Sequence, residues 1–186
     1  MPLISERGGR GRRVLLSLML LAMAMPQALA APFSIDAVKA AYLFRFASYV
    51  EWPERGAGGG PLHIGVIGAE DVAVHLERLV TGMTVRGKSV KVRRVRAVDE
   101  IAGLHILYVG ATVFRSSRPV RLAAVEQPIL LVTDSRDGLA GGGVINFIEM
   151  NRNLRFEISL PAADRRGLKI DSALLAVAAS VEARKK

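Results

Sequence analysis

Two spacings of hydrophobic residues alternate along the chain from residue 34 onwards. Spacing by three and four predicts a helix that begins after Ser34 and ends near Val50, because Trp52-Pro53 follows. The same spacing predicts helices over residues 70–80, 118–125 and 172–183. Continuous apolar runs predict strands at 62–67, 104–109 and 129–133, and near-alternation predicts a half-exposed strand at 90–95.

Two further strands lie close together near the C-terminus. Residues 144–150 and 154–160 flank Asn151-Arg152-Asn153, which predicts an antiparallel hairpin. Apolar strands that alternate with helices are typical of a mostly parallel sheet covered on both faces. We therefore predict an α/β fold: a three-layer sandwich with a mostly parallel central sheet, an antiparallel hairpin near the C-terminus, and helices on both faces.

The first thirty residues follow a different pattern. Four arginines precede an apolar run over residues 14–25, and Ala28-Leu29-Ala30 comes just before Ala31. The run is shorter than the roughly 20 residues that a bilayer-spanning helix needs. A basic start, a short apolar stretch and small residues at the end are typical of a secretory signal peptide. We predict a cleavable signal peptide over residues 1–30 and a single exported domain over residues 31–186.

Composition limits the chemistry and the partners of that domain. The chain has no cysteine, which excludes disulfides and thiol chemistry. Its net charge is +9, and residues 31–186 keep 22 basic and 16 acidic residues, a net charge of +6. A basic surface suits nucleic acid, an acidic protein or an anionic membrane face. Export argues against nucleic acid and leaves the other two open.

One nucleotide-binding motif is present in the wrong context. Residues 82–89, GMTVRGKS, match the Walker A pattern letter for letter. A phosphate-binding loop needs a strand before it and a helix after it, so that backbone N–H groups hold the phosphates. Here a predicted helix precedes the segment and a predicted strand follows it. The motif therefore predicts a turn that leads into a strand.

No catalytic or metal-binding set emerges from the remaining polar residues. His63, His75 and His105 are expected to lie far apart, on different predicted elements, without a second ligand at helical spacing. Asp134 and Asp137 follow a strand at the edge where α/β folds place their sites, although Asp and Gly in loops also form ordinary turns. We expect a protein that is not an enzyme and holds no cofactor and no metal.

Two blocks of sequence carry a family resemblance. The first is KAAYLFRFA at residues 39–47, followed by VEWP at 50–53. The second comprises GGVINF at 142–147, LRFEI at 154–158, GLKI at 167–170, Ser172, and LL at 174–175. Together with the strand at 64–66 and the turn at 86–88, they resemble the YfiR family of periplasmic regulators.

The resemblance implies a periplasmic repressor. A protein of this family would bind the periplasmic sensor region of an inner-membrane diguanylate cyclase, or of a sensor kinase, and hold it inactive. An outer-membrane lipoprotein would release it, which raises cyclic-di-GMP and favours biofilm formation. A homodimer stays open. The best understood relative has disulfide-forming cysteines, so the absence of cysteine here excludes that form of redox control.

A partner surface needs a few aromatic, arginine or large apolar anchors. The first block supplies the richest aromatic group of the chain, and the second supplies charged residues; the candidate partner-binding residues are Tyr42, Phe46, Tyr49, Trp52, Arg155, Glu157 and Lys169. Helical spacing also fits a core role for some of the aromatics. Arg155 and Glu157 share one strand face, where a cross-strand ion pair is the alternative to a partner contact.

Two rival functions stay open at this point. A periplasmic small-molecule-binding module that feeds a membrane kinase would need a concave pocket lined by the aromatic residues. An exported hydrolase would need convergent acids, bases or nucleophiles, and the sequence supplies no such set.

Overall fold

Strands and helices alternate along most of the chain. The computed structural model describes residues 34–53, 60–151 and 153–183, so the predicted signal peptide lies outside the described residues. The helices are α1 Ile35–Tyr49, α2 Glu70–Val80, α3 Ala111–Ser116, α4 Arg118–Val125, α5 Leu160–Arg165 and α6 Ser172–Val177, with a 3-10 turn at Val98–Ile101. The strands are β1 Val50–Glu51, β2 Leu62–Ile67, β3 Thr84–Val85, β4 Lys88–Arg94, β5 Ile106–Val109, β6 Leu130–Thr133, β7 Ile145–Met150, β8 Asn153–Ser159, β9 Lys169–Ile170 and β10 Ser180–Glu182.

The main sheet has eight strands in the order β10-β8-β7-β6-β5-β2-β4-β3. Neighbours from β7 through β6, β5 and β2 to β4 are parallel, and β10 is parallel to β8. The β7–β8 and β3–β4 pairs are antiparallel. The β7–β8 pair is the predicted hairpin, with Phe147 opposite Phe156.

Each face of this sheet carries its own apolar core. One core joins α1 and α2 to one side of the strands, with Leu43, Phe46 and Leu76 fully buried. The other joins α3, α4 and the 3-10 turn to the opposite side, with Leu107 and Leu131 fully buried. The fold is therefore the three-layer α/β sandwich that the sequence predicted.

Helix α1 forms as the sequence predicts. Ser34 is its N-cap, and its hydroxyl accepts a hydrogen bond from the Asp36 N–H at 3.3 Å. The helix ends at Tyr49, where Val50 turns extended and enters β1. Strand β1 pairs with β9 in a separate two-stranded sheet, in which Glu51 lies opposite Lys169. This small sheet ties the end of α1 to the C-terminal part of the chain.

The C-terminal helix was predicted too long. Helix α6 ends at Val177, and the chain then becomes extended and forms β10 beside β8. The Ala179 N–H donates to the Phe156 carbonyl at 2.8 Å, which starts this pairing. The alanines of this segment favour helix locally, but the free edge of β8 offers hydrogen bonds that a helix would leave unused.

The Walker-like segment is a turn that leads into a strand, as predicted from its context, and a short strand before the turn makes it a β-hairpin. Val85 of β3 pairs with Lys88 of β4, and the two residues between them have φ of 50° for Arg86 and 76° for Gly87. Positive φ at both central positions is typical of a type I′ turn. A strand rather than a helix follows this turn, so the phosphate-binding geometry is not formed.

Arg166 fixes the junction between α4, α5 and the loop before β7. It is buried, and its guanidinium donates to the carbonyl oxygens of Ala124, Ala162 and Gly142 at 3.3, 2.8 and 2.7 Å. Burial, with a smaller effect of Arg165, lowers the pKa of Arg166 to about 10. Three carbonyls thus replace the water that the guanidinium loses.

Candidate functional site

An apolar groove runs along α1, between that helix, β8 and α6. Its volume is about 620 Å³, and its walls include Tyr42, Phe46, Tyr49, Phe156, Leu174 and Val177. Residues three, four and seven positions apart share one face of a helix, so Tyr42, Phe46 and Tyr49 line the same side of α1. The short helix α6 forms the opposite wall. The groove therefore gathers three of the four predicted aromatic residues.

The floor of the groove is a packed aromatic cluster. Phe46 lies with its ring centroid 5.3 Å from that of Phe156 and 5.8 Å from that of Phe147. Tyr42 covers this pair, with centroid distances of 5.9 Å to Phe46 and 5.5 Å to Phe156. Phe46 is fully buried, whereas Tyr42 and Tyr49 are half-buried. Phe46 thus supports the groove from below, and the two tyrosines supply its accessible surface.

The rim of the groove combines exposed apolar surface with positive charge. Val177 is 57% exposed, which is high for a large apolar side chain at the end of a helix. Arg45 lies on the wall formed by α1 and is exposed. Arg155 of β8 lies on the strand face opposite Phe156 and outside the groove lining, and its guanidinium donates to the Val177 carbonyl at 3.5 Å. The rim therefore suits a partner with apolar anchors and acidic neighbours.

The other predicted residues lie apart from the groove. Glu157 lies on the strand face opposite Phe156, and it accepts hydrogen bonds from Asn146 Nδ2 at 3.4 Å and from Ser180 Oγ at 3.1 Å. Both donors are neutral groups on neighbouring strands, in place of the cross-strand ion pair considered from the sequence. Lys169 is exposed on β9, in the small sheet.

Trp52 lies at a second cavity, at the amino ends of the parallel strands. Its indole Nε1–H donates to the His105 carbonyl at 3.0 Å, and the two rings meet edge to face at 5.6 Å. The cavity has a volume of about 260 Å³. The sequence grouped Trp52 with the tyrosines of α1, but the structure directs it away from them.

Two histidines that the sequence placed far apart are neighbours. The His105 N–H donates to the His63 carbonyl at 2.9 Å, and the His63 N–H donates to His105 Nδ1 at 3.2 Å. Burial lowers the pKa of both imidazoles; nearby Arg93 and Lys91 add to the effect at His63, and His63 and Lys88 add to it at His105. The separation of His63 and His105 was thus a wrong prediction, because parallel pairing of β2 with β5 brings residues distant in sequence together.

Asp134 is the anchor of a polar crevice at the carboxyl ends of β2, β5 and β6. Lys39 of α1 donates to Asp134 Oδ2 at 2.6 Å, and the Ala111 N–H donates to Oδ1 at 2.7 Å. Burial raises the pKa of Tyr108 far above its usual range, and the neighbouring Asp134 carboxylate adds to the rise. The sequence indicated this edge through Asp134 but missed Lys39 and Tyr108, which appear in it as ordinary helix and strand residues.

Within residues 34–53, 60–151 and 153–183, no three His, Cys, Asp or Glu side chains converge on a position that could hold a metal ion. Within the same ranges, no helix has both the length and the apolar character needed to cross a membrane.

The family of the chain follows from comparison with known proteins. Residues 36–179 match the model of the YfiR/HmsC-like family, so the chain belongs to that family. This match confirms the resemblance carried by the two sequence blocks. The family is one of periplasmic, regulatory, non-catalytic proteins. Among curated proteins, none matches the chain significantly.

Two solved structures are similar to the chain. A conserved domain protein of Vibrio cholerae O1 biovar El Tor has 16% identity and a TM-score of 0.55, over 80% of this chain and 60% of that one. The chain thus spans about 60% of the length of that structure. The ABC domain of Streptococcus pneumonia in complex with L-Trp has 13% identity and a TM-score of 0.46, over 64% and 55%. The first likeness supports the fold alone.

Proposed function

We propose that this protein is a periplasmic repressor that binds the periplasmic sensor region of an inner-membrane diguanylate cyclase and holds the cyclase inactive. Membership of the YfiR/HmsC-like family supports the proposal. The groove between α1 and α6 is the observation that carries it, because such a repressor works through a surface. Release by an outer-membrane lipoprotein would raise cyclic-di-GMP and favour biofilm formation.

The groove has the features of a protein-binding surface. Anchors in protein interfaces are enriched in tyrosine, tryptophan and arginine and lie near the centre of the contact. Tyr42 and Tyr49 are half-buried over an ordered aromatic floor, so little conformational freedom is lost when a partner covers them. Arg45 at the rim favours an acidic partner and disfavours a basic one.

The test compares two exposed apolar residues on different faces of the protein. Val177 is 57% exposed at the groove, and Leu122 is 54% exposed on α4, on the opposite side of the sheet. We would tag the full chain at its C-terminus and purify its partners from detergent-solubilised envelope. Cyclic-di-GMP would be measured in a deletion strain that carries the wild type, Val177→Asp or Leu122→Asp.

The repressor proposal expects a membrane diguanylate cyclase in the wild-type eluate and raised cyclic-di-GMP in the deletion strain. Val177→Asp should lose both capture and repression, and Leu122→Asp should keep both. A sensor kinase in the eluate in place of a cyclase would keep the regulatory role of the protein and change the identity of its partner. Absence of a membrane partner, together with unchanged cyclic-di-GMP on deletion, would overturn the proposal.

The same groove supports a second candidate, a small-molecule-binding sensory module. Its volume of about 620 Å³ falls within the range of about 300–1,000 Å³ typical of ligand pockets, and aromatic residues line it. A ligand that binds only the folded protein raises its melting temperature. A thermal-shift screen with apolar small molecules should then identify stabilising compounds whose effect is lost in Tyr42→Ala.

A further inference from the structure

Three arginines lie close together on α3 and α4. Residues 111–129 contain Arg115, Arg118 and Arg121 and a single acidic residue, Glu126, so this stretch has a net charge of +2. Arg115 and Arg118 are exposed, and Arg121 is half-buried. Both helices pack on the same side of the sheet, so the arginines share one outer face, to which the proposed function gives no role.

The guanidinium of Arg121 is held where α3 ends. It donates to the Phe114 carbonyl and, at 3.5 Å, to the Arg115 carbonyl, and it lies 5.3 Å from the centroid of the Phe114 ring. These contacts are with neutral groups, so they orient the guanidinium without cancelling its charge. Arg121 therefore keeps its positive charge close to the backbone of Arg115.

Leu122 is the large apolar residue of this outer face. Its side chain is 54% exposed, whereas Val120 and Ala124 of the same helix are buried. Successive residues of an α-helix are rotated by about 100°, so Leu122 points away from the side that the two buried residues define. Arg118, one turn earlier, lies beside it. An apolar side chain flanked by cations matches the boundary between lipid headgroups and acyl chains.

The combination of arginines with an exposed leucine narrows the class of partner. A planar guanidinium matches phosphate or carboxylate oxygens with two parallel hydrogen bonds, so charge alone fits a phospholipid or an acidic protein. A bilayer surface places phosphates beside apolar acyl chains, and it therefore offers a contact to Leu122 as well as to the arginines. The family of the chain is periplasmic, and membranes bound the periplasm.

We propose that the outer face of α3 and α4 binds the anionic surface of a phospholipid bilayer. The three arginines lie at the level of the lipid phosphates, and Leu122 inserts between the headgroups. Each arginine near such a surface strengthens binding by about fivefold, so the attachment is weak and reversible. The groove lies on the opposite side of the sheet. Binding to lipid and capture through the groove are therefore separate properties, and a variant that loses one keeps the other.

Sedimentation with vesicles measures this attachment directly. The protein, expressed from its full chain and purified from the periplasmic fraction, would be mixed with vesicles of phosphatidylcholine, or of phosphatidylcholine and phosphatidylglycerol in equal parts. The double variant Arg115→Gln/Arg118→Gln removes two exposed charges from the face. Arg78→Gln/Lys91→Gln removes two exposed charges from α2 and β4 and has the same net charge, so it is the matched control.

We expect the wild type to bind the vesicles that contain phosphatidylglycerol, to bind less as salt is added, and not to bind phosphatidylcholine alone. Arg115→Gln/Arg118→Gln should weaken binding by about tenfold or more, and the matched control should lose far less. Leu122→Gln keeps the charge and should weaken binding by about fivefold, the size of a lost apolar contact. Polyglutamate, a soluble polyanion without acyl chains, should bind less tightly than the vesicles.

Several results would overturn the proposal. Equal losses in the two double variants would show attraction by net charge, without a particular face. Unchanged binding in Leu122→Gln, or equally tight binding of polyglutamate, would show a surface for acidic proteins. Equal binding to both kinds of vesicle, or to neither, would show that the arginines do not recognise an anionic bilayer. Thermal unfolding checks that each variant is folded; if the arginine variant is not, Leu122→Gln and polyglutamate still decide.

Discussion

Lys39 and Asp134, which are 95 positions apart in the sequence, meet with 2.6 Å between Nζ and Oδ2. Lys39 lies on α1, and Asp134 follows β6 and also holds the first N–H of α3. The two side chains are only 12% and 21% exposed. This contact joins the layer of α1 to the carboxyl edge of the sheet.

Loss of the lysine should therefore destabilise the fold. Lys39→Met leaves Asp134 partly buried without its cation, and we expect a loss of about 2–4 kcal/mol in the free energy of unfolding. Urea denaturation measures it. The double variant Lys39→Met/Asp134→Asn should recover part of the loss, because it removes the uncompensated charge. Lys91→Met, an exposed change, is the control; similar effects of Lys39→Met and Lys91→Met would contradict the prediction.

Two aromatic residues of α1 should behave differently. Phe46 is fully buried, so Phe46→Ala should cost about 3–5 kcal/mol of stability through the cavity that it leaves. Tyr49 is half-buried, so Tyr49→Ala should cost less and act chiefly on partner capture. Denaturation curves and the envelope pull-down, run on both variants, separate the two roles. Equal destabilisation by the two variants would show that Tyr49 belongs to the core.

Stability should fall as the solution becomes acidic. The pKa values of His63 and His105 are lowered in the folded protein, so the unfolded chain binds more protons as the pH falls below about 6.5. Their contribution to stability is full above that pH and declines below it. The melting temperature, measured from pH 7.5 to pH 5, should fall less steeply in His63→Gln/His105→Gln than in the wild type. His75→Gln, on α2, should retain the wild-type slope.

The buried guanidinium of Arg166 should be sensitive even to conservative change. Arg166→Met leaves the carbonyls of Ala124, Ala162 and Gly142 without their donor, and we expect a loss of about 3–5 kcal/mol. Arg166→Lys should recover only part of this, since an ammonium group cannot match the fork geometry of a guanidinium. Arg165→Met, at the exposed neighbouring position, should be nearly neutral. Thermal unfolding of the three variants ranks them; a neutral Arg166→Met would contradict the prediction.

The features predicted from the sequence are those that depend on local pattern. Helix α1 begins after Ser34 because the cap and the apolar spacing agree, and α4 has the predicted bounds of residues 118–125. Helix α5 was missed, although Ser159 caps it and Pro161 occupies its first turn, a signal that the strand prediction through residue 160 overrode. Local pattern thus suffices where propensity, capping and burial point the same way.

The other features that the sequence missed depend on contacts between distant segments. Strand β10 forms because β8 offers an edge, and the β1–β9 pair joins residues from opposite ends of the domain. Part of the groove was predicted: helical spacing gathered Tyr42, Phe46 and Tyr49, but it did not show which of them is buried or that Trp52 faces His105. Such facts follow from register and strand order, which one sequence alone does not specify.

Helix α1 contacts a different structure on each of its sides. Lys39 reaches the polar crevice, Leu43 packs in the core, Tyr49 faces the groove, and Ser48 holds Arg86 at the cavity beside Trp52. Most of its positions are buried or half-buried, so few remain free for neutral drift. A saturation scan of the gene should find this one helix less tolerant of substitution than α2 or α4, including at positions that solvent reaches. The substitutions that natural variants tolerate in α1 would then show which of its contacts matters most for the function of the protein.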